Sequence, residues 1–356
     1  MRCKRHAVCA LLCAVAACAA ATPAGAVVGG TEVAPESVPW FVSFGGCGGT
    51  LVAADRVLTA AHCVAGRSPA ELTRLAVGGV RRDATRLALF PNWRQRNGTA
   101  NYLDDVALIK LDAPVLGVPL VAIGGPAVSE AQVLGRGRRF APGTRHTDAQ
   151  AFDGTLRAAP LRTIGDANCA RRLKGYVGST RERFRSRMLC AIDADGRAPL
   201  YSGCNGDSGG PLWTGSANAP IQLGVVSWGG DRCGADHLPT VFADVARYRD
   251  FIADPSPTWA PTRTGGVTRI TGTARAGRTL SCAISRYVPQ RGTRVGYAWA
   301  AIATGRNGSR RPRLVGRGRT YRVARADRHH SLTCVVTASN DGGFVTVDAA
   351  TRVVRR

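Results

Sequence analysis

Apolar residues come in short runs broken by Gly, Pro and Asp over the first two thirds of the chain. Pro39 to Phe44, Gly49 to Ala53, Arg56 to Thr59 and Val106 to Leu111 read as strands. Ile221 to Trp228 and Thr240 to Val245 repeat the pattern. Ala243 to Ala253 differs: Val245, Tyr248, Phe251 and Ile252 fall at helical spacing. Asp254-Pro255-Ser256-Pro257-Thr258 then breaks the pattern, and its prolines favour an extended linker over 255–263. Beyond it strand runs resume at Thr279 to Ile284, Gly296 to Ile302, Thr320 to Arg325, Ser331 to Ala338 and Phe344 to Val347, with Asn340-Asp341-Gly342-Gly343 as a turn. The pattern is all-β with a single late helix.

The N-terminus has its own pattern. A basic head, Met1-Arg2-Cys3-Lys4-Arg5-His6, precedes an uncharged run to Ala21 and the small-residue site Ala24-Gly25-Ala26. Residues 1–26 therefore read as a secretory signal peptide, too short for a stable membrane span. Val15-Ala16-Ala17-Cys18 also fits a bacterial lipoprotein box, an alternative that would leave Cys18 lipidated. No other apolar stretch is long enough to cross a bilayer, so a soluble, secreted monomer is expected.

Three segments carry candidate chemistry. Ser202-Gly203-Cys204-Asn205-Gly206-Asp207-Ser208-Gly209-Gly210-Pro211 sets a serine among glycines. A serine hydroxyl is a poor nucleophile unless a base and backbone donors are near, and glycines leave N–H groups uncovered. Leu58-Thr59-Ala60-Ala61-His62-Cys63 ends an apolar run on a histidine, and Asp104-Asp105-Val106-Ala107-Leu108 opens a strand on an aspartate.

In their order His, Asp, Ser, these motifs resemble the trypsin/chymotrypsin family of serine proteases from Val27 to about Asp254. The resemblance implies two Greek-key β-barrels with a C-terminal helix, a chymotrypsin-like fold, and a triad of His62, Asp105 and Ser208 at the barrel junction. It implies an oxyanion hole from the N–H groups of Gly206 and Ser208. It also implies a free Val27 amino group pairing with Asp207, for which one cut after Ala26 would suffice. Ser202 would floor the specificity pocket, with Gly229 and Thr240 as its walls. Ser227 and Trp228 would begin the strand that pairs with substrate, Ser227 also supporting Asp105. An uncharged floor implies cleavage after small or medium apolar residues, while Asp231 and Asp236 keep cleavage after basic residues as an alternative. Asp104 is expected to be a surface carboxylate. A homologue that binds without catalysis is the alternative function.

Twelve cysteines occur, four of them within 1–26. The remaining eight suit four disulfides in an exported protein. The family resemblance suggests Cys47–Cys63, Cys204–Cys233 and Cys169–Cys190, the last around a loop including Arg181 to Arg187. Cys282, Trp299 and Cys334 fall in the Cys…Trp…Cys order of an immunoglobulin sandwich, so an Ig-like β-sandwich is expected over 264–356, with Leu332 where a tyrosine corner would stand. No metal site or cofactor is expected: no Cys/His spacing is left over, and Arg81 and Arg82 stand where a calcium loop would want acids.

Charge changes the picture only at the C-terminus. The net charge is +24, and residues 260–356 hold 19 arginines against three aspartates, with no lysine or glutamate. That segment could bind anionic cell-surface polymers through phosphate-type contacts. A solvated arginine-biased spacer is the competing reading.

Overall fold

The computed structural model describes residues 27–354 except 92, 94–101, 126–127, 129, 175–185, 198–199, 235–236, 255, 264–267, 284–286, 289–291, 305–309 and 350–351. Residues 1–26, and with them Cys18, lie outside the described residues. So do Arg181 to Arg185 and Asp236.

The first apolar runs form one antiparallel sheet. Its strand order is Val80–Arg82, Leu75–Val77, Phe41–Phe44, Cys47–Ala53, Arg56–Thr59, Ala107–Leu111 and Ala84–Leu89. A second sheet runs from Thr31–Glu32 through Arg157–Ile164, Ala131–Gly135, Pro211–Ser216, Ala219–Trp228 and Thr240–Asp244 to Met188–Asp193. Met188–Asp193 also pairs with Arg157–Ile164, so six of these strands close on themselves. Closure satisfies strand edges internally, and alternate side chains fill the interior. The sequence patterning missed Ala131–Gly135 and Arg157–Ile164, whose apolar positions are interrupted by Gln132, Pro160 and Arg162, and also the short apolar run Met188–Asp193. The expected late helix is a 3-10 turn, Val245–Tyr248, followed by Arg249–Ala253. Together these make an all-β chymotrypsin-like fold: two barrel-like sheets and a short closing helix.

The two barrels meet through a few buried contacts. Trp40 is fully buried, packs edge-on against Trp213 at 4.9 Å, and donates to the Ala217 carbonyl. Thr50 Oγ1 donates to Gln222 Oε1 at 2.6 Å across the junction, and Gln222 Nε2 donates to the Gly224 carbonyl. Both side chains are buried, so each bond satisfies a group that would otherwise cost about 1–3 kcal/mol.

The C-terminal residues build two further sheets around one core, and Thr262–Arg263 pairs with Tyr287–Val288 in a short third. Arg269–Thr271, Thr279–Ala283 and Thr320–Arg322 form one; Arg310–Arg317, Arg294–Thr304, Ser331–Asn340, Gly343–Asp348 and Arg352–Val353 form the other. Cys282 and Cys334 join the two sheets, with Trp299 fully buried beside them. Leu332 is fully buried in that core. Arg310–Arg317 is a strand that patterning did not show, because Arg, Pro and Gly crowd its apolar positions. The other three disulfides also pair as the family resemblance implied.

One expectation is corrected here. Asp104 is not a surface carboxylate; it is buried, with a backbone φ of 59°. Its Oδ1 accepts from Arg187 Nη1 at 2.8 Å and from the Tyr248 hydroxyl at 3.2 Å. The closing helix is thus tied to the residue next to Asp105. Burial, then the Asp104 charge and hydrogen bond, hold the Tyr248 phenol well above its ordinary range. Asp104→Ala should lower the unfolding free energy by about 2–3 kcal/mol, since it leaves the Tyr248 hydroxyl buried without this acceptor and puts alanine at positive φ. Asp104→Asn tolerates that φ and keeps the acceptor, and should recover about half of the loss. Denaturant melts of the two variants check this.

Candidate active site

His62 sits on a single helical turn, Ala61–Val64, directly after the strand Arg56–Thr59. The next residue, Cys63, is bridged to Cys47 on the neighbouring strand, which ties the turn to the first barrel. Asp105 stands just before the strand Ala107–Leu111 and is fully buried. The backbone N–H of His62 donates to Asp105 Oδ1 at 2.8 Å, and Nδ1 meets Oδ2 at 2.7 Å. Ser227 Oγ donates to the same Oδ2 at 2.6 Å. Three donors therefore surround one carboxylate.

Ser227 reaches that position because the pairing of Ala219–Trp228 with Thr240–Asp244 shifts register between Val226 and Trp228. A bulge re-aims the residue it frees. Burial pulls the His62 imidazole down, but the charge of Asp105 and its hydrogen bond outweigh this and hold it above the ordinary range.

Ser208 lies in a tight loop. The Ser208 carbonyl accepts from Gly48 N at 2.8 Å, and Gly209 N donates to the Val226 carbonyl at 2.8 Å. Two glycines are obligatory. A Cβ on Gly209, at φ +78°, would lie 2.3 Å from Thr59 Oγ1 and 2.4 Å from the Gly48 carbonyl. A Cβ on Gly206, at φ +94°, would lie 2.8 Å from Gly137 Cα. The loop is pressed between both barrels, and only glycine fits.

His62, Ser208, Gly206, Ser227, Trp228, Gly229 and Thr240 line one cavity of about 390 Å³. Tyr102 and Asp231 line it too. Among the described residues no hydrogen bond joins Ser208 Oγ to His62; the Nε2 contact is Cys63 Sγ at 3.8 Å. Nucleophile–base bonds are often long in unliganded sites and tighten with substrate.

Tyr102 was not singled out from the sequence. Its ring edge faces His62 at 5.5 Å. It stands three residues before Asp105 in a stretch without periodicity, so that spacing is its only signal.

Ser202 is placed differently from the other pocket residues. It does not line the cavity that holds Ser208 but a neighbouring one, with Tyr201, Gly234 and His237. Thr240 lines both. The Ser202 and Thr240 hydroxyls are 3.0 Å apart, and Gly203 N donates to Thr240 Oγ1. This buried pair lies between the two cavities.

Val27 is fully buried, at φ 55°, among Val133, Leu161 and Leu212. Its neighbour Val28 bridges to Ser202. Asp207 is fully buried; its carboxylate accepts from Gly137 N at 2.8 Å and from Cys204 N at 2.9 Å. Burial outweighs these two bonds and pushes Asp207 up to about 7. Among the described residues its partners are these two N–H groups and not Val27. Cys47, His62 and Cys63 lie close together, but both sulfurs belong to the disulfide and offer no thiolate to a metal.

Comparisons with known proteins identify the domain that contains these residues. Residues 27–252 match the family profile described as Trypsin. The chain is 30% identical over 245 residues to trypsin alpha of Drosophila erecta, covering 64% of this chain and 86% of that protein. It is 31% identical over 246 residues to hypodermin-A of Hypoderma lineatum, with 64% and 86% coverage. The buried His62–Asp105 pair opening onto the Ser208 loop thus sits within a matched domain, and the chain belongs to the trypsin family of serine endopeptidases.

Proposed function

We propose that the protein is a secreted endopeptidase that cleaves peptide bonds through Ser208, His62 and Asp105. The observation that carries this reading is the hydrogen-bonded line from Ser227 through Asp105 to His62, ending in the cavity that Ser208 lines. His62 Nε2 takes the Ser208 proton as Oγ bonds to the scissile carbonyl carbon. The carbonyl oxygen becomes an oxyanion held by the N–H groups of Gly206 and Ser208. His62 then gives the proton to the leaving amine, and water repeats the sequence on the acyl-enzyme. Asp105 holds the tautomer and stabilises the imidazolium.

The uncharged hydroxyls of Ser202 and Thr240 support a specificity pocket with no charge at its base. It favours cleavage after Ala, Val or Leu. Asp231 at the rim would favour basic residues instead. A fluorophosphonate probe should label the wild-type chain and not Ser208→Ala, whose turnover should fall by about 10⁶-fold. Peptide amides ending in Ala, Leu, Phe and Arg should rank with Ala or Leu first. A first-ranked Arg would transfer the specificity to Asp231, and an unlabelled wild type would make the chain a binding homologue.

Cleavage after Ala26 completes the site in this reading. With Val27 still joined to Ala26, Asp207 has no cation beside it among the described residues. Its folded pKa lies above the unfolded value, so its contribution to stability is full below about pH 4 and is lost as pH rises through about 7. A free Val27 amino group would reverse that penalty. The uncleaved precursor should therefore lose on the order of a few kcal/mol relative to its Asp207→Asn variant between pH 4 and 8. The cleaved protein should show no such loss. A cleaved protein that kept the precursor's pH-dependent loss would overturn the pairing.

The C-terminal region fits an Ig-like sandwich with a polyanion-binding face. On its three-stranded sheet Arg269, Arg322, Thr271, Thr279 and Thr320 are exposed, flanked by exposed Arg278 and Arg319. No carboxylate lies on these strands. Trp299 stacks on Tyr321 and Tyr297 packs against the same core rather than offering a stacking platform, which favours a phosphodiester polymer without bases. Binding to such a cell-wall polymer should weaken steeply with salt. Replacing Arg269, Arg278, Arg319 and Arg322 with Gln should flatten that dependence; an unchanged slope would leave a spacer.

A further inference from the structure

The turn Asn340–Gly343 does not point into solvent. It is seated on the first barrel, at the edge strand Ala84–Leu89. That strand ends the sheet, so one row of its backbone groups has no neighbouring strand. Ala260 N donates to the Leu87 carbonyl at 2.7 Å, and Leu89 N donates to the Gly342 carbonyl at 2.7 Å. Asn340 Nδ2 donates to the Trp259 carbonyl at 2.8 Å, joining the expected linker to the turn. The fit is close: a Cβ on Gly343 would lie 2.6 Å from Leu89 Cδ1, and one on Gly342 would lie 1.8 Å from the Thr258 carbonyl.

Beyond the turn, Phe344 enters the first barrel's core margin. Its ring is nearly parallel to Trp93, at 6.2 Å and 12°. Its edge lies 3.1 Å from where a Cβ on Gly66 would stand. Val345 bridges to Gly66, and Thr346 N donates to the Gly66 carbonyl at 3.4 Å.

The two segments gripped in this way lead to the two groups that must stay in register. Gly66 follows the helical turn of His62 by two residues. Leu89 leads into Phe90, whose N–H donates to the Val106 carbonyl at 2.9 Å, next to Asp105. Phe90 also packs edge-on against Tyr248, which holds Asp104. One hairpin thus braces the histidine segment and the aspartate segment from outside the protease domain.

We propose that the hairpin of the C-terminal module, with Phe344 as its wedge, is a positioning element for the His62–Asp105 pair, so that the module is a working part of the protease. Phe344 touches no reacting atom and acts through Gly66 and Trp93. The inference rests on His62 serving as the base. A misplacement of about 1 Å between catalytic groups can cost up to about a hundredfold in rate, so a brace of this kind has a measurable effect.

The test uses the full cleaved chain, active-site titration and a short peptide amide. Phe344→Ala should keep its titratable sites and KM, while kcat per site falls about tenfold. The groups facing His62 are Asp105 at Nδ1, the Tyr102 ring edge, the Cys63 sulfur, and Ser208 and Asp231 across the cavity. Among these Asp105 raises the imidazole, so loosening that contact should move the acidic limb of kcat to lower pH. Phe344→Tyr should restore both. Phe344→Leu keeps an apolar filling without the ring stack, and gives the same reading with a smaller drop if the alanine variant folds poorly. Unchanged kcat per site and an unmoved limb would overturn the proposal, even if fewer sites were folded. A wild-type chain with no titratable site would instead sink the catalytic reading itself.

Discussion

A charged carboxylate with no exposed surface is tolerable only if donors surround it, and Asp105 is such a group. Its donors come from two distant segments: the N–H and Nδ1 of His62, and the hydroxyl of Ser227. His62 belongs to the first barrel and Ser227 to the second. Satisfying this one carboxylate therefore requires both barrels to be formed and docked. The same requirement orients the imidazole, so fold stability and the geometry of the candidate site share one set of bonds.

Around that point the backbone is crowded rather than flexible. Gly206 and Gly209 adopt conformations and clearances that no side chain permits. The bulge at Ser227 gives up regular pairing to aim a hydroxyl. The adjacent Asp104 holds the closing helix through Tyr248, so the end of the protease domain is fastened beside its centre. The C-terminal module extends this pattern by covering an edge strand of the first barrel and reaching the segment behind His62.

Much of this was legible in residue order. The glycine-flanked serine, the histidine after an apolar run and the aspartate before a strand each carry local chemistry, and the strands that border them alternate clearly. Other features left little trace. Arg310–Arg317 pairs through its backbone while its side chains are mostly basic or small, so hydrophobic period says nothing. The motif singled out Asp105, but nothing local marked its neighbour Asp104 for burial, which depends on Tyr248 and Arg187, both far away in sequence. The proline-rich stretch 255–263 was readable as extended. That an extended backbone would lie against the open edge of Ala84–Leu89 was not.

The chain's own order of residues was enough to point to the reaction class, because its serine, histidine and aspartate motifs together carry the resemblance to a family of serine proteases. It also determined the all-β character, which follows from short alternating runs. Tertiary structure alone decided that Asp104 is buried and held as well, and what the C-terminal module touches. Each of those depends on a contact between residues distant in sequence, and such contacts exist only after the sheets have closed and packed.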